Sequence, residues 1–378
     1  MASVPPGSTC DRCRYAKAFT TGAPGSVAAF LANLGEKWQL KRDQWLNDRR
    51  MRLTELTNEQ RRQIIDVVQV FASWRDADRK AVPGSLRWVS RKGTEYLYRK
   101  YGKSERSLGR RSPATEAIMN EQSRIRNRLR QTGARLKTMA RVNRALYLNR
   151  VPRDAAIVLR ELDSARLLGK HLFVIGTNAL YAYEMKAGVL FESSLLATSD
   201  FDLLWDARGR LRLVVRGVSP EGVLGVLKKA DPTYSTADNY GVRAQNANGY
   251  CVDLFCPDAE PVPSRLTPDD LDPVPIEGAG WLTNAPKIEE TVIGWNGIPL
   301  YMPCVDPRIF ALHKLWLSKQ PSRQERSRPR DVAQARAVAA VSIAYLRLKF
   351  SDRVISRLPA VLRAGTAELA HAARELDA

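Results

Sequence analysis

The sequence predicts an α/β protein, with a basic, mainly helical region before the α/β segment and a helical region after it. Three observations predict this. Apolar residues of the first 150 positions recur mostly at helical spacing; from residue 154 short apolar runs alternate with amphipathic ones; and helical spacing returns from residue 306 onward. The boundaries that follow are a loose leader over 1–25, a basic helical domain with a small hairpin over 26–150, an α/β core over 151–305 and a helical region over 306–378. A chain of 378 residues suffices for a sizeable core and two or three domains.

Composition narrows the class. The apolar fraction of 44% and charged fraction of 26% are those of a soluble globular protein. No run of eighteen apolar residues suggests a membrane span, and no basic stretch followed by an apolar one suggests a secretory signal. Cys10, Cys13, Cys251, Cys256 and Cys304 make an odd, sparse set, which reads as reduced and cytoplasmic. Cys10 and Cys13 have C-x-x-C spacing, but no second pair or nearby histidine completes a zinc site, so a chance pair is the better reading. His171, His313 and His371 are too scattered for a histidine-rich metal centre.

The net charge of +20 is unevenly spread: residues 1–150 hold 32 Lys/Arg against 13 Asp/Glu, and the other 228 residues are nearly neutral. A basic part joined to a neutral one suggests a module that grips a polyanion. A solvated face that only keeps the chain soluble is the plainer alternative.

In chain order, Leu31, Leu34 and Trp38 have helical spacing, Val67, Val68, Val70, Phe71 and Trp74 make an apolar stripe, and Thr57 with Gln60 offers a capping box. In 85-SLRWVSRKGTEYLYRKY-101 the Lys92-Gly93 pair separates two alternating runs, which suggests a hairpin. Trp88, Tyr96 and Tyr98 are interleaved there with Arg87, Arg91 and Arg99. Such a mixture can stack bases and neutralise phosphates, and it also serves a small hairpin that must pack against helices. The stretch 106-RSLGRRSP-113, with Arg110 and Arg111, reads as a basic turn in which Ser112-Pro113 starts a long arginine-rich helix. From residue 154 come a helix, the buried strand 171-HLFVIG-176, a helix over 179–188 and a strand around 199–205. A strand over 210–215, a helix over 220–230, two strands about an Asn248-Gly249 turn, a long loop over 257–275 and short hairpin-like pieces at 288–293 and 298–301 complete the core. A helix over 306–319, a basic loop over 320–330 and a last helical pair from Asp331 close the chain.

Within 198-TSDFDLLW-205, Asp200 and Asp202 are two apart on a strand and share a face. Adjacent like charges do not make a core face, and divalent cations would neutralise them. Asp253 is the lone acid of another apolar strand, 250-YCVDLFC-256, and joins the pair if both strands lie in one sheet. Three such acids can hold two ions, one activating an attacking hydroxyl and one holding triphosphate oxygens. The 176-GTN-178 turn lies between a buried strand and a helix, where backbone N–H groups are free to cradle phosphate.

This order of Gly-Thr turn, D-x-D strand and later lone Asp resembles the nucleotidyltransferase superfamily that includes DNA polymerase beta, poly(A) polymerases and CCA-adding enzymes. The resemblance covers roughly residues 165–256, and Thr177 is a mild departure from the usual second small residue. It implies a polymerase beta-like mixed-sheet core, with Asp200, Asp202 and Asp253 as metal ligands and catalytic acids. It also implies Mg2+ (two ions, or Mn2+) as cofactor, an NTP as donor, and Gly176, Thr177 and Asn178 at the donor phosphates. The segment 306–338 is similar to the helix–basic loop–helix of a bacterial branch described only as a nucleotidyltransferase domain. The motifs 85-SLRW-88, 96-YLYR-99 and 107-SLGRRSP-113 are similar to N-terminal features of the same branch. Lys314 and Arg243 are candidates to face the nucleotide, and Arg330 with Asp331 to order a helix junction.

The expected reaction is attack of an acceptor hydroxyl on the α-phosphate of an NTP. The basic region favours RNA, with a tRNA-like 3′ end suited to the superfamily; Arg87, Trp88, Arg91, Tyr96, Tyr98, Arg99, Arg110 and Arg111 are the candidate contacts. Two alternatives remain open: transfer to a protein or small molecule, as a toxin or resistance enzyme performs it, and a catalytically silent nucleic-acid-binding protein.

Overall fold

A short strand, β1 (Thr54–Glu55), leads into helix α1 (Asn58–Lys80), whose start is fixed by a reciprocal cap. The Gln60 amide donates to Thr57 Oγ1 at 3.2 Å, and the Thr57 amide donates to Gln60 Oε1 at 2.8 Å. The computed structural model describes residues 53–206, 222–237, 241–258 and 271–374. The expected leader, the spacing of Leu31, Leu34 and Trp38, Cys10 and Cys13, the strand over 210–215 and much of the 257–275 loop lie outside the described residues.

After α1 come three antiparallel strands, β2 (Ser85–Arg91), β3 (Thr94–Tyr101) and β4 (Ser104–Arg110). Lys92 (φ 49°) and Gly93 (φ 73°) form the expected tight turn between β2 and β3. The basic turn expected over 106–113 is instead mostly the third strand of this sheet. β4 is a polar, exposed edge with a bulge opposite Leu97 and Tyr98, so it carries no apolar alternation to announce it. Ser112 then caps helix α2 (Pro113–Ala145) as expected, accepting from the Thr115 amide at 3.4 Å.

Helices α1 and α2 are rooted in the main core: Val67, Val70, Phe71, Leu136 and Met139 belong to the same buried cluster as the central strands described next. Arg75 strengthens the junction, with Nη2 2.7 Å from Asp163 Oδ1 and its guanidinium 3.5 Å from the Tyr301 ring centroid.

The α/β part runs α3 (Arg153–Ser164), β5 (Leu172–Ile175), a 3-10 turn (Thr177–Ala179), α4 (Leu180–Ala187), β6 (Val189–Leu190), α5 (Ser193–Leu196) and β7 (Asp200–Trp205). It continues with α6 (Gly222–Ala230), β8 (Ser235–Thr236), β9 (Arg243–Gln245), β10 (Cys251–Pro257), β11 (Val274–Ile276) and α7 (Ala279–Asn284). Then come β12 (Lys287–Ile293), β13 (Pro299–Val305), α8 (Pro307–Ser318), α9 (Arg328–Ala344), α10 (Arg353–Ser356), α11 (Ala360–Arg363) and α12 (Thr366–Arg374).

The large sheet has the order β12–β13–β5–β7–β10–β9–β8, with β11 beside β10. The β13/β5, β7/β10 and β10/β11 pairs are parallel and the others antiparallel, so the core is a mixed sheet flanked by helices, consistent with a polymerase beta-like nucleotidyltransferase fold. Every residue of β5 and β13 is buried, the mark of strands covered on both faces. The pieces expected at 288–293 and 298–301 are a full hairpin. Pro299 and Pro303 hide β13 in the sequence, because proline removes a ladder donor. The basic loop ends at Ser327, because Pro329 falls in the first turn of α9 and continues it; three short helices, not one partner helix, follow.

The reciprocal cap of α1 gives a stability prediction. Thr57→Ala is expected to cost about 1 kcal/mol and lower Tm by a few degrees, with Thr57→Ser close to wild type. A thermal melt that leaves Thr57→Ala unchanged would show that α1 docks independently of its cap.

Candidate active site

Strand β7 supplies two of the acids and β10 the third. The strands run parallel in register, with Asp253 opposite Asp202 and Cys251 opposite Asp200, so the alternation that sends Phe201 and Leu203 into the core turns the acids to one face. One carboxylate oxygen from each of Asp200, Asp202 and Asp253 lies within 4.8 Å of the others. Three hard oxygen donors converging this closely fit a divalent cation.

The turn after β5 meets this cluster directly. Gly176 has φ 64°, and a Cβ placed on it would stand 1.9 Å from Asp202 Oδ2. The position therefore requires glycine twice, for its backbone and for the space the Asp202 carboxylate occupies. Thr177 is buried, and Gln334 of α9 donates to its Oγ1 at 3.2 Å and to the Leu195 carbonyl at 2.7 Å. Asn178 is also buried, and its amide donates to the Asp200 carbonyl at 2.8 Å, so this side chain fixes the start of β7. The Thr198 hydroxyl donates to Asp200 Oδ1.

Cations surround the acids, each with a partner. Arg243, opposite Asp253 on β9, grips its carboxylate through Nε (2.6 Å) and Nη2 (2.5 Å). Lys314 of α8 is buried, with Nζ 2.8 Å from Asp331 Oδ1, and Arg323 Nε lies 2.6 Å from the other oxygen of Asp331. Burial alone would push the fully enclosed Asp331 carboxyl up, but Lys314 and Arg323 outweigh it and hold it below the usual range. Arg330 donates to the Ala197 carbonyl at 2.9 Å and ties α9 to the segment before β7.

The eight expected nucleic-acid contacts divide. By register, Arg87, Arg91, Tyr96, Tyr98 and Arg110 share one face of the β2–β4 sheet, while Trp88 and Arg99 lie on the other with buried Leu86 and Leu97. Arg111 sits over the Trp88 ring at 5.2 Å and is paired to Glu95 and Glu116.

Thr198, Arg323 and Gln334 join the site without having been singled out from the sequence. Gln334 had a signal, since Asp331 and Gln334 are polar residues three apart and so share one face of a helix. Thr198 lies two residues before Asp200; Arg323 had no signal in a loop full of arginines.

A nucleotidyltransferase family model matches residues 153–358, just over half of the chain. The chain belongs to this nucleotidyltransferase family. No curated protein and no solved structure matches it significantly. The matched stretch of the nucleotidyltransferase spans the turn, the three acids, Lys314, Asp331 and Gln334, and leaves out the β2–β4 sheet. Family and triad together support a metal-dependent nucleotidyltransferase activity.

The electrostatics of the triad fit a bound cation. Although Asp202 keeps some surface, its carboxylate is packed against Gly176, and burial pushes its pKa up to about 7. Asp200 and Asp253 add to the rise, and Lys314 and Arg243 oppose it. In the metal-free protein Asp202 therefore holds a proton below about pH 7, and the stability it costs grows as pH rises from about 4 to about 7 and is constant above that.

Three predictions rest on this geometry. Cation affinity, measured by calorimetry, should be flat above pH 7 and fall up to about tenfold per pH unit below it, with proton uptake by buffer on binding. In chelator at pH 8, Asp202→Asn should melt above wild type, and the difference should close toward pH 4, where both side chains are neutral; equal melting at pH 8 would contradict the shifted carboxyl. Separately, Gly176→Ala should keep the fold but reduce transfer on the order of a hundredfold or more, because the new methyl must displace Asp202. A Gly176→Ala protein that still gains normal thermal stabilisation from added cation would contradict that contact.

Proposed function

We propose that the protein is a Mg2+-dependent nucleotidyltransferase that moves an NMP from an NTP to an acceptor hydroxyl on RNA, at a tRNA-like 3′ end. The observation that carries this reading is the convergence of Asp200, Asp202 and Asp253 against the Gly176 turn. In the reaction the acceptor oxygen bonds to the α-phosphorus, the bond to the β-phosphate bridge breaks, and pyrophosphate leaves with that electron pair. The acceptor proton passes to Asp253 or to water. Magnesium bound to the three carboxylates, as a pair of ions, supplies the positive charge that offsets the triphosphate.

The chain's own residues supply the rest. Asp200 and Asp202 present hard oxygens from one strand, and Thr198 and Asn178 hold Asp200 in place through its side chain and carbonyl. Arg243 orients the Asp253 carboxylate from both oxygens. Thr177, whose oxygen already accepts from Gln334, keeps its hydroxyl proton for a donor phosphate. Lys314, shared with Asp331, adds positive field at Asp202.

Support for RNA comes from the basic charge of residues 1–150 and from the tyrosine–arginine face of β2–β4. Buried Cys251, Cys256 and Cys304 suit a reducing cytoplasm, and no described helix is long and apolar enough to cross a membrane.

The test supplies each α-labelled NTP in turn, with magnesium, to the enzyme and total RNA and protein from a bacterial lysate. Label is expected on a discrete RNA species, sensitive to nuclease, and reduced on the order of a thousandfold in Asp200→Ala/Asp202→Ala. Label that resists nuclease and is lost to protease would replace RNA by a protein acceptor.

A further inference from the structure

The outer face of the β2–β4 sheet has no part in the chemistry above, and its composition is specific. Cross-strand register puts Tyr96 and Tyr98 of the central strand on this face, with Arg87 and Arg91 from β2, Lys100 from β3 and Arg110 from β4 around them. Glu105 is the single acid among the paired positions of the face, and it is held by Arg87 at 2.8 Å. The opposite face carries Leu97, which is fully buried, and Leu86, so the tyrosines are not needed to close the core there. Both rings remain partly exposed, and each has a guanidinium over it: Arg91 lies 5.1 Å from the Tyr98 centroid and Arg110 5.9 Å from that of Tyr96.

We propose that this face is a stacking platform for single-stranded nucleic acid, with one base on Tyr96 and one on Tyr98; that the strand is the acceptor rests on the function proposed above. Rings two residues apart on one strand face are separated by roughly 7 Å. That is about twice the ~3.4 Å rise of a stacked strand, so the two rings suit adjacent bases pulled apart, which a duplex does not offer. A base that takes over a ring face releases the arginine above it to a neighbouring phosphate, so stack and charge are both retained. Duplexes, with bases enclosed, can meet the face only through phosphates.

The experiment is fluorescence anisotropy of the full chain with a labelled eight-nucleotide oligouridylate, its DNA counterpart and an RNA duplex. It is run without NTP or cation, so that transfer plays no part. Single strands should bind more tightly than duplex. The tighter of the RNA and DNA arms identifies the natural strand. Tyr96→Ala and Tyr98→Ala should each weaken binding about tenfold or more, and Tyr96→Phe/Tyr98→Phe should keep it, because stacking needs the ring and not the hydroxyl. Arg91→Ala and Arg110→Ala should each reduce the log–log salt slope by about 0.7.

The proposal is overturned if the folded Tyr96→Ala/Tyr98→Ala protein binds single strands as wild type does, or if duplex binds more tightly than single strand. Should the alanine variants misfold, ultraviolet crosslinking of bound RNA to the wild-type chain decides: adducts on the peptide carrying Tyr96 and Tyr98 support the platform, and adducts only elsewhere overturn it. Binding through the tyrosines without nucleotide transfer would remove the proposed function alone. Transfer to RNA with tyrosine variants that bind and react normally would remove the platform alone.

Discussion

Three carboxylates within 4.8 Å repel one another, and most of the polar structure around the large sheet is arranged to bear that repulsion. Part of the answer is rigidity. The parallel register of β7 and β10 fixes Asp202 beside Asp253, and the Gly176 turn closes against the Asp202 carboxylate with no room for a methyl group. Asp202 cannot move away from its neighbours without opening that turn. Its remaining relief is to take up a proton or a cation, which is the property a metal site needs.

The other part of the answer is fixed positive charge, kept in place by being paired. Arg243 spends both arms of its guanidinium on Asp253, and Lys314 is shared between Asp331 and the field at Asp202. Burying a lone ammonium is costly, and Asp331, 2.8 Å from Lys314 Nζ, supplies the compensating charge. Asp331 is in turn fully enclosed and gripped by Arg323, so removing Asp331 leaves both cations without their carboxylate. The pairing also links α8, the following loop and α9 to the catalytic face. Gln334, three residues along the same helix, extends the link to Thr177 in the turn.

What the sequence made legible follows from this physics. A D-x-D pair in an apolar strand is conspicuous because core faces exclude charge, and Asp253 stands out for the same reason. Capping residues were equally readable, since Thr57 with Gln60 and Ser112 with Pro113 act within one helical turn. Strand β4 was not readable, because an exposed edge of serines and arginines needs no apolar alternation. Strand β13 was obscured by its two prolines, although it lies beside β5 in the middle of the fold. The charge partners of Lys314 and Arg243 were likewise hidden. A basic side chain near an acidic site reads as a phosphate ligand until tertiary packing shows which carboxylate it already holds. The placement of Trp88 and Arg99 on the face of Leu86 and Leu97 needed the register of β2 and β3 for the same reason.

The described part of the basic region, from residue 53, is joined to the large sheet through packed helices. The β2–β4 sheet is inserted between the end of α1 and the start of α2, and both helices bury apolar residues, among them Val67, Phe71, Leu136 and Met139, in the cluster that contains β5, β7 and β10. Arg75 ties α1 to α3 through Asp163 and to β13 through the Tyr301 ring, while Asn143 of α2 donates to the Gly297 carbonyl between β12 and β13 at 2.7 Å. Moving the two helices that carry the small sheet off the core would require breaking these contacts, each worth on the order of 1 kcal/mol or more. A strand held on Tyr96 and Tyr98 is therefore anchored to the scaffold that carries the acids. If the acceptor is the single strand proposed above, its choice would depend on whether its end can span from that face to the carboxylates, which would make length and flexibility a determinant of specificity beside base sequence.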